Sequence, residues 1–342
     1  MVIVRLMGGL GNQMFQYAAA RRVSHVRNVP LKLDLSHFGH IPAGDTPWQY
    51  VLSVFAIREE FATPEDIRSL TWGRANRFTK MLLGIIERRL PPDRRYGLGF
   101  FSIREEIASP GDIRDLKWGG TNRILRMLRS RIEQGLPPGR RTWIRERHFQ
   151  FDPEILDIAG HVYLDGFWQS EKYFSDIQDI LRREFTVRGV PDPLTSEMCR
   201  QASSGESVSV HIRRGDYVSN PVTSRFHGTC PPDYYERAVS HIARRASPLH
   251  FFIFSDDPAW ARKNLTLDHP ATYVEHNGPD KGHEDLRIMT HCKHHIIANS
   301  SFSWWGAWLS NTPGKIVVAP RKWFADEKIR TEDLVPDPWV RL

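Results

Sequence analysis

Cysteine is scarce in this chain of 342 residues, and long apolar runs are absent from it. The three cysteines, Cys199, Cys230 and Cys292, are odd in number and widely spaced. This argues against a disulfide framework or a structural zinc site and favours a reducing compartment. No apolar run approaches the roughly 20 residues that span a bilayer, and the N-terminus lacks the pattern of a signal peptide. We therefore predict a cytoplasmic protein.

Extremes of composition are also absent. Hydrophobic residues make up 40% of the chain and charged residues 25%, which argues against disordered, collagenous and coiled-coil proteins. The net charge is +7, and the excess lies in residues 56–147, which carry 20 Lys or Arg and 12 Asp or Glu. This basic segment is compatible with contact to nucleic acid, anionic lipid or a phosphorylated substrate, and also with a solvated charged surface.

An internal repeat is present. Residues 50–95 recur as residues 96–141, with 26 identities in 46 positions. In the first copy, Thr63, Pro64 and Asp66 predict a helix start with a capping residue, a proline at the first position and an acid in the first turn. Two copies are too few for a solenoid, so we interpret the duplication as an enlarged helical insertion.

Outside the repeat, short apolar runs alternate with helical stretches, an order typical of an α/β protein with parallel sheets. The Pro- and Gly-rich stretch 188–193 marks a boundary. We predict an N-terminal domain over residues 1–190, containing the repeat, and a C-terminal domain over residues 191–342. The predicted strands are Val2–Leu6, Leu31–Leu35, Val162–Phe167, Ser207–Ile212, His250–Phe254, Ile296–Ala298 and Ile316–Ala319.

A glycine-rich turn, Met7-Gly-Gly-Leu-Gly11-Asn12-Gln13, follows the first predicted strand and opens a helix. Glycines in such a turn let the backbone approach a ligand closely, and the free N–H groups at a helix start attract an anion. The turn is neither G-x-G-x-x-G nor a P-loop. Gly11 and Asn12 are therefore candidate ligand contacts, and the alternative is a tight turn with a capping asparagine.

A second cluster, His211-Ile-Arg213-Arg214-Gly-Asp216-Tyr, directly follows the strand Ser207–Ile212. Ligands of open α/β sheets bind at the carboxyl ends of strands, and a guanidinium binds two phosphate oxygens at once. We therefore predict a phosphate site at Arg213 and Arg214, with His211 and Asp216 as an acid–base pair beside it. The alternative is a structural ion pair between arginine and aspartate.

A third motif, His295-Ile-Ile-Ala-Asn-Ser300-Ser301-Phe-Ser-Trp, indicates a strand, a hydroxyl-rich turn and a helix. Hydroxyls and N–H groups at a helix start resemble an anion site, and plain N-capping is the alternative. Asp285 lies on the preceding predicted helix. We predict no metal site from His291, Cys292, His294 and His295, because the last begins a predicted strand while the others lie at a predicted helix end. The chain also has no H-E-x-x-H or D-x-D pattern.

These motifs resemble the signatures of the α-1,2-fucosyltransferases of glycosyltransferase family 11, and the chain is similar to the bacterial members of that family. The resemblance rests on Gly8–Gln16, Gly166–Phe174, His211–Tyr217 and Asn299–Gly306, which follow the family's order. It implies a GT-B-like fold of two Rossmann-like domains facing a cleft. It also implies inverting, metal-independent transfer of fucose from GDP-β-L-fucose to the 2-hydroxyl of a galactoside, in O-antigen or capsule synthesis.

The resemblance assigns roles to several candidates in the second predicted domain. Arg213 would grip the pyrophosphate of the donor. His211 and Asp285 would bind its guanine and ribose, and Ser300 and Ser301 would contact a phosphate. No cofactor is expected, since the donor GDP-fucose is itself a substrate.

Two further roles are expected. Asn12 would face the sugar or the β-phosphate, and Asp216 is the candidate general base, with a dissociative transition state as the route that needs no strong base. The chain departs from the family by carrying the segment 50–95 twice, which leaves the choice of acceptor open.

The expected partners are GDP-fucose and a galactose-terminated acceptor, which is often lipid-linked in such pathways. The basic insertion would then touch an anionic inner membrane peripherally. One alternative is a transferase for another GDP-sugar such as GDP-mannose. The other is a nucleic-acid-binding protein, which would need aromatic residues among the basic ones. The tryptophan cluster, Trp304, Trp305 and Trp308, instead lies far from the basic segment and is predicted to pack in the core, so we expect no nucleic acid.

Overall fold

A computed structural model describes residues 1–39, 46–72 and 142–342 of the chain. The second copy of the repeat, residues 96–141, lies outside these residues, and so does the part of the first copy after residue 72. The predicted helix start in the first copy is confirmed, because helix α2 begins at Pro64. Thr63 Oγ1 accepts a hydrogen bond from the Asp66 N–H at 3.1 Å, and the Asp66 carboxylate accepts one from the Thr63 N–H at 2.9 Å.

The first sheet has four parallel strands in the order β2-β1-β4-β3. Its central strand β1 is rich in β-branched residues, which favour the pleated conformation, and Val2 and Val4 are fully buried. The strands are β1 (Val2–Arg5), β2 (Leu31–Asp34), β3 (Trp143–Arg145) and β4 (Val162–Asp165). Because the strands are parallel, their carboxyl ends lie along one edge of the sheet.

The second sheet has six parallel strands in the order β10-β9-β8-β5-β6-β7. Its longest strands, β5 and β6, pair from Glu206 opposite Leu249 to Ile212 opposite Ser255. The strands are β5 (Glu206–Ile212), β6 (Leu249–Ser255), β7 (Ala271–Tyr273), β8 (His294–Ile296), β9 (Val317–Ala319) and β10 (Val340–Arg341).

Helices connect the strands, as parallel crossovers require. Five of the ten described α-helices have proline at their first position, which suits the fixed φ of that residue. The α-helices are α1 (Leu10–Arg27), α2 (Pro64–Trp72), α3 (Gln178–Glu184), α4 (Pro193–Ser203), α5 (Gly215–Ser219), α6 (Pro221–His227), α7 (Pro232–Ala243), α8 (Pro258–Asn264), α9 (Gly282–His291) and α10 (Ser301–Leu309). Short 3-10 turns span Ser36–Gly39, Leu52–Val54, Pro153–Asp157, Glu171–Tyr173, Ser175–Ile177 and Pro279–Lys281.

An aromatic core joins the two sheets. Trp304 and Trp305 of α10 are fully buried and lie 4.4 and 4.9 Å from the ring of Phe15 on α1. Phe174 stacks on Trp305 with the ring centres 5.4 Å apart. The prediction that these tryptophans are core residues is confirmed. The buried cluster therefore crosses residue 190, and the domain boundary placed there stays a prediction.

The predicted parallel α/β architecture is confirmed, with two Rossmann-like sheets as a GT-B-like fold requires. All seven predicted strands are present, with ends shifted by one or two residues. Three strands were missed, β3, β7 and β10, because each has only two or three residues and no clear period-2 pattern. His294 was expected at a helix end but belongs to β8. The three cysteines are buried and free, as expected.

Candidate active site

The strand order of the second sheet locates a crevice. From β5 the chain runs outward through β6 to β7, and it then returns to the other side of β5 through β8. The connections therefore leave the sheet on opposite sides between β5 and β8, and ligands of open α/β sheets bind at such a switch point. Arg213 follows the carboxyl end of β5, and Ser300 follows that of β8.

Arg213 is held between two carboxylates. One terminal nitrogen lies 2.5 Å from Asp216 Oδ1, and the other lies 2.8 Å from Asp256 Oδ2. The guanidinium also sits 5.2 Å from the ring centre of Tyr217. A guanidinium has five N–H donors, so this arrangement orients the group and leaves donors for an anion. The contact with Asp216 has the geometry of the structural ion pair considered as the alternative.

Arg214 points to a different place. Its Nε lies 3.0 Å from Asp257 Oδ2, and its guanidinium lies 4.2 Å from the ring centre of Trp260. Asp257 also caps α8 by accepting a hydrogen bond from the Trp260 N–H at 3.1 Å. The side chain of Arg214 thus fastens the start of α8, and only its backbone N–H shares the carboxylate of Asp256 with Arg213. Its phosphate role stays a prediction.

His211 is almost fully buried beside the crevice. Burial lowers the pKa of its imidazole, so the ring is neutral near pH 7. Its Nδ1 has no hydrogen-bond partner within the described part of the chain, and the ring lies 5.4 Å from that of Phe302. A buried ring nitrogen without a partner is rare in folded proteins, which makes it a candidate for contact with a ligand.

The side chains of Asp285 and Asn277 are hydrogen-bonded to each other, and together they offer hydrogen-bond acceptors to a ligand. Asn277 Nδ2 donates to Asp285 Oδ1 at 2.8 Å, while Asn277 Oδ1 is buried without a partner. Burial raises the pKa of the Asp285 carboxyl to about 6. Asn277 was missed from the sequence, although it lies shortly after the carboxyl end of β7, a strand that was itself missed.

The two serines of the hydroxyl-rich turn differ in their contacts. Ser300 is the N-cap residue of α10, and its side chain makes no capping hydrogen bond. Ser301 Oγ instead donates to Asn12 Oδ1 at 2.8 Å. The hydroxyl of Ser300 and the N–H groups of α10 are thus the groups that could meet an anion here.

Gly11 is the point where α1 touches α10. A Cβ on Gly11 would lie 2.4 Å from the carbonyl carbon of Ser301 and 2.5 Å from the nitrogen of Phe302. The Gly11 carbonyl accepts a hydrogen bond from Trp305 Nε1 at 3.0 Å. The group that approaches Gly11 closely is the backbone of α10. Contact of Gly11 with the donor stays a prediction.

The first sheet has its own switch point, between β1 and β4. Asn12 follows β1, and Gln169 follows β4 and donates from Nε2 to Asn12 Oδ1 at 2.8 Å. Glu146, just after β3, accepts hydrogen bonds from the backbone N–H groups of Phe167 and Trp168. Burial raises the pKa of Glu146 to about 7. Neither Glu146 nor Gln169 was proposed from the sequence, although Gln169 lies in a quoted motif.

Residues 1–39, 46–72 and 142–342 contain no group of three or more His, Cys, Asp or Glu side chains able to hold a metal ion. In the same part of the chain, no helix combines the length and apolar character needed to cross a membrane.

The features of a glycosyltransferase of the GT-B type are present: two parallel sheets with connecting helices, cation and hydroxyl groups at the second switch point, and Asn12 bridging to the first. The model of glycosyl transferase family 11 matches residues 141–342. The chain belongs to this family, which confirms the resemblance carried by the four motifs.

Named relatives cover the chain to different extents. An α-1,2-colitosyltransferase of Escherichia coli is 32% identical over 100% of this chain and 98% of its own. The O-antigen biosynthesis glycosyltransferase WbnK of Escherichia coli is 31% identical over 98% of this chain and 99% of its own. The galactoside 2-α-L-fucosyltransferase SEC1 of Bos taurus is 28% identical over 49% of this chain and 46% of its own.

Proposed function

We propose that this glycosyltransferase moves L-fucose from GDP-β-L-fucose to the 2-hydroxyl of a terminal galactoside, with inversion, during synthesis of a surface polysaccharide such as O-antigen. The observation that carries the proposal is the placement of Arg213 after β5 and of Ser300 after β8, at the switch point of the second sheet. The names of the relatives support an α-1,2 linkage, O-antigen synthesis and a galactoside acceptor.

The hydrogen-bond acceptors of Asp285 and Asn277 suit guanine as a ligand. The Asp285 carboxylate can accept hydrogen bonds from the ring N–H and amino group of guanine, and adenine lacks that combination of donors on one edge. Asn277 Oδ1, buried without a partner, offers a further acceptor beside it. An unpaired buried polar atom costs about 1–3 kcal/mol, so a ligand donor that satisfies it contributes to binding. Neutral His211 completes this end of the donor site.

The pyrophosphate would lie between Arg213, Ser300 and the N–H groups of α10. Negative charge grows on GDP as it departs, and oriented donors stabilise such charge most strongly in a water-poor site. Each charge-assisted hydrogen bond contributes about 1.5–3 kcal/mol. These groups supply the stabilisation that the metal-independent reaction in our proposal requires. Asn12 would act on the sugar or the β-phosphate from the first sheet, and Gly11, Ser301 and Arg214 would support the site.

Asp216 remains our candidate for the base that deprotonates the acceptor hydroxyl. Its Oδ1 lies 2.5 Å from Arg213, so one side chain would both orient the guanidinium and receive a proton. In Asp216→Asn the amide can still accept a hydrogen bond from Arg213 but cannot act as a base. A loss of transfer with donor binding preserved would assign the base role to Asp216.

A second sugar has a specific observation in its favour. The relative that matches the whole chain is named as an α-1,2-colitosyltransferase. Colitose is L-fucose without its 3-hydroxyl, so one donor site can accept both unless a side chain reads that hydroxyl. GDP-mannose is the more distant alternative. We further propose that the acceptor is lipid-linked and that the protein works in the cytoplasm at the inner membrane.

The test is release of GDP in the presence of EDTA. GDP-fucose, GDP-colitose and GDP-mannose are each offered with lactose and a panel of β-galactosides. Release that depends on a galactoside and is fastest from GDP-fucose supports the proposal. Fastest release from GDP-colitose would assign the second sugar, and release that needs added metal would contradict metal independence. Salt-sensitive binding to anionic liposomes tests the membrane contact.

A further inference from the structure

Residues 166–169 form the turn after β4. They belong to the motif Gly166–Phe174, and the proposed function assigns this motif no role. Its Gln169 is 8% exposed and donates from Nε2 to Asn12 Oδ1 at 2.8 Å. From the second sheet, Ser301 Oγ donates to the same oxygen, also at 2.8 Å. The Asn12 carbonyl oxygen thus receives one hydrogen bond from each side, which matches its two lone pairs.

These two bonds decide which way the Asn12 amide faces. A 180° rotation of the amide would place its N–H groups against the Nε2–H group of Gln169, which cannot accept a hydrogen bond. Nδ2 must then lie on the opposite side, in the space that a Cβ on Gly8 would occupy, at 2.6 Å from that position. Among the described residues Nδ2 has no hydrogen-bond acceptor. Its N–H groups are free for a ligand.

Glu146 holds the turn that presents Gln169. Its two carboxylate oxygens accept hydrogen bonds from the N–H groups of Phe167 at 2.6 Å and Trp168 at 3.0 Å. Trp168 has a φ of 56°, a left-handed conformation that a tryptophan rarely adopts. Gly166 is needed beside the carboxylate, since a Cβ there would lie 2.3 Å from the Cβ of Glu146. The backbone before Gln169 is therefore held against its own preference.

We propose that Gln169 is a positioning residue for the transfer reaction, and that it fixes the Asn12 amide so that Nδ2 faces the bond between sugar and phosphate in the donor. Glu146 supports this role by holding the strained turn. The inference rests on the proposed function, in which Asn12 contacts the donor. It explains why a glutamine follows β4 at the switch point of the first sheet.

The test replaces the amide of Gln169 by a carboxylate of the same shape. In Gln169→Glu an oxygen faces Asn12 Oδ1, so the Asn12 amide should turn Nδ2 toward the new carboxylate. We expect kcat to fall by at least about tenfold, toward the 10²–10³-fold loss typical of one oriented donor, with the donor KM changed by less than about threefold. Gln178→Glu, the same change at an exposed position, is the control.

A double-mutant cycle separates positioning from a structural role. In the Asn12→Ala background there is no amide to orient, so Gln169→Glu should change kcat by less than about twofold. An equal loss in both backgrounds would overturn the proposal, and so would a kcat equal to that of Gln178→Glu. If Gln169→Glu does not fold, Gln169→Met keeps the volume and removes the donor. A smaller loss is then expected, again confined to the background with Asn12.

A failure of the proposed function can be told apart from a failure of this inference. It would be seen if the wild-type protein released GDP from none of the GDP-sugars offered. GDP can then be titrated while the side-chain amide signal of Asn12 is followed by NMR. A shift in the wild type that is absent in Gln169→Glu supports the positioning role without reference to the sugar. An Asn12 signal that GDP leaves unmoved in the wild type overturns it.

Discussion

Gly11→Ala tests the contact that joins the two sheets. The new Cβ would lie 2.4 Å from the Ser301 carbonyl carbon, 2.5 Å from the Phe302 nitrogen and 2.6 Å from the Ser301 oxygen. Carbon atoms in contact prefer about 3.5–4.0 Å, so α1 and α10 would have to move apart by roughly 1 Å. Both helices have buried aromatic residues behind the contact, and neither can yield without disturbing them.

The magnitude follows from the contacts that would be lost. Overpacking of this kind costs about 1–3 kcal/mol. The hydrogen bonds from Trp305 to the Gly11 carbonyl and from Ser301 to Asn12 would stretch, and each contributes about 0.5–1.5 kcal/mol. We expect the free energy of unfolding to fall by roughly 2–5 kcal/mol, enough to lower Tm by several degrees in a protein of this size. Transfer activity should fall as well, because the same movement displaces Asn12.

Differential scanning calorimetry and the GDP-release assay measure the two effects. Gly205→Ala is the matched control, because nothing lies within 4 Å of a Cβ there and its φ is not positive. Such a substitution is neutral or stabilises by about 0.4–1 kcal/mol, since alanine restricts the unfolded chain. A Gly11→Ala protein with the Tm and kcat of Gly205→Ala would refute the close contact between α1 and α10.

Three further predictions concern charged groups. Arg213→Ala should lower kcat by about 10²-fold or more because it removes an oriented cation from the departing GDP, whereas Arg237→Ala, which breaks an exposed ion pair on α7, should leave kcat unchanged; comparable losses in both variants would contradict the donor-site role. Burial raises the pKa of Asp285 to about 6, and protonation removes an acceptor for guanine. GDP affinity measured by calorimetry should therefore weaken by about tenfold per pH unit below pH 6, and this dependence should vanish in Asp285→Asn. Burial also raises the pKa of Glu146 from 4.5 to about 7, so the folded protein retains a proton that the unfolded chain loses. Its stability contribution is present below about pH 4.5 and lost as the pH rises through 7. In urea titrations at pH 5 and pH 8, the difference in unfolding free energy should be smaller in Glu146→Gln than in the wild type.

The two sheets have their switch points in corresponding positions. In each sheet the crevice opens beside a central strand, β1 in the first and β5 in the second. Asn12 stands at the first crevice and bonds to Ser301 at the second. A donor bound at the second sheet and an acceptor brought to the first would therefore meet beside the hydrogen bond between Asn12 and Ser301. The aromatic core behind this hydrogen bond holds α1 against α10.

Local patterns in the sequence were sufficient for much of the fold. Apolar, β-branched runs predicted seven of the described strands, because burial on both faces of a parallel sheet leaves a continuous apolar signal. Thr63, Pro64 and Asp66 predicted the start of α2, because capping uses residues within one turn. Strands of two or three residues were missed, since so short a stretch carries no period.

Candidate site residues could be predicted where a chemically reactive or charged side chain lies at the end of a recognisable strand. His211, Arg213 and Asp216 could be proposed from the sequence because they lie at or just after the carboxyl end of a recognisable strand, where parallel sheets place their ligands. Asn277 and Glu146 follow strands too short to recognise. Arg214 looked equivalent to Arg213, yet the two guanidinium groups have different partners, because neighbouring residues at a strand end project to opposite sides.

By itself, the sequence determined the α/β class, the parallel strands, the core tryptophans and the motifs that place the chain in its family. These depend on the hydrophobic pattern and on turn chemistry, which act over a few residues. Only the tertiary structure decided which groups meet. Asn12 bonds to Gln169, 157 residues away, and to Ser301, 289 residues away. Such partners are chosen by the strand order and by the packing of α1 against α10, and no local pattern encodes either.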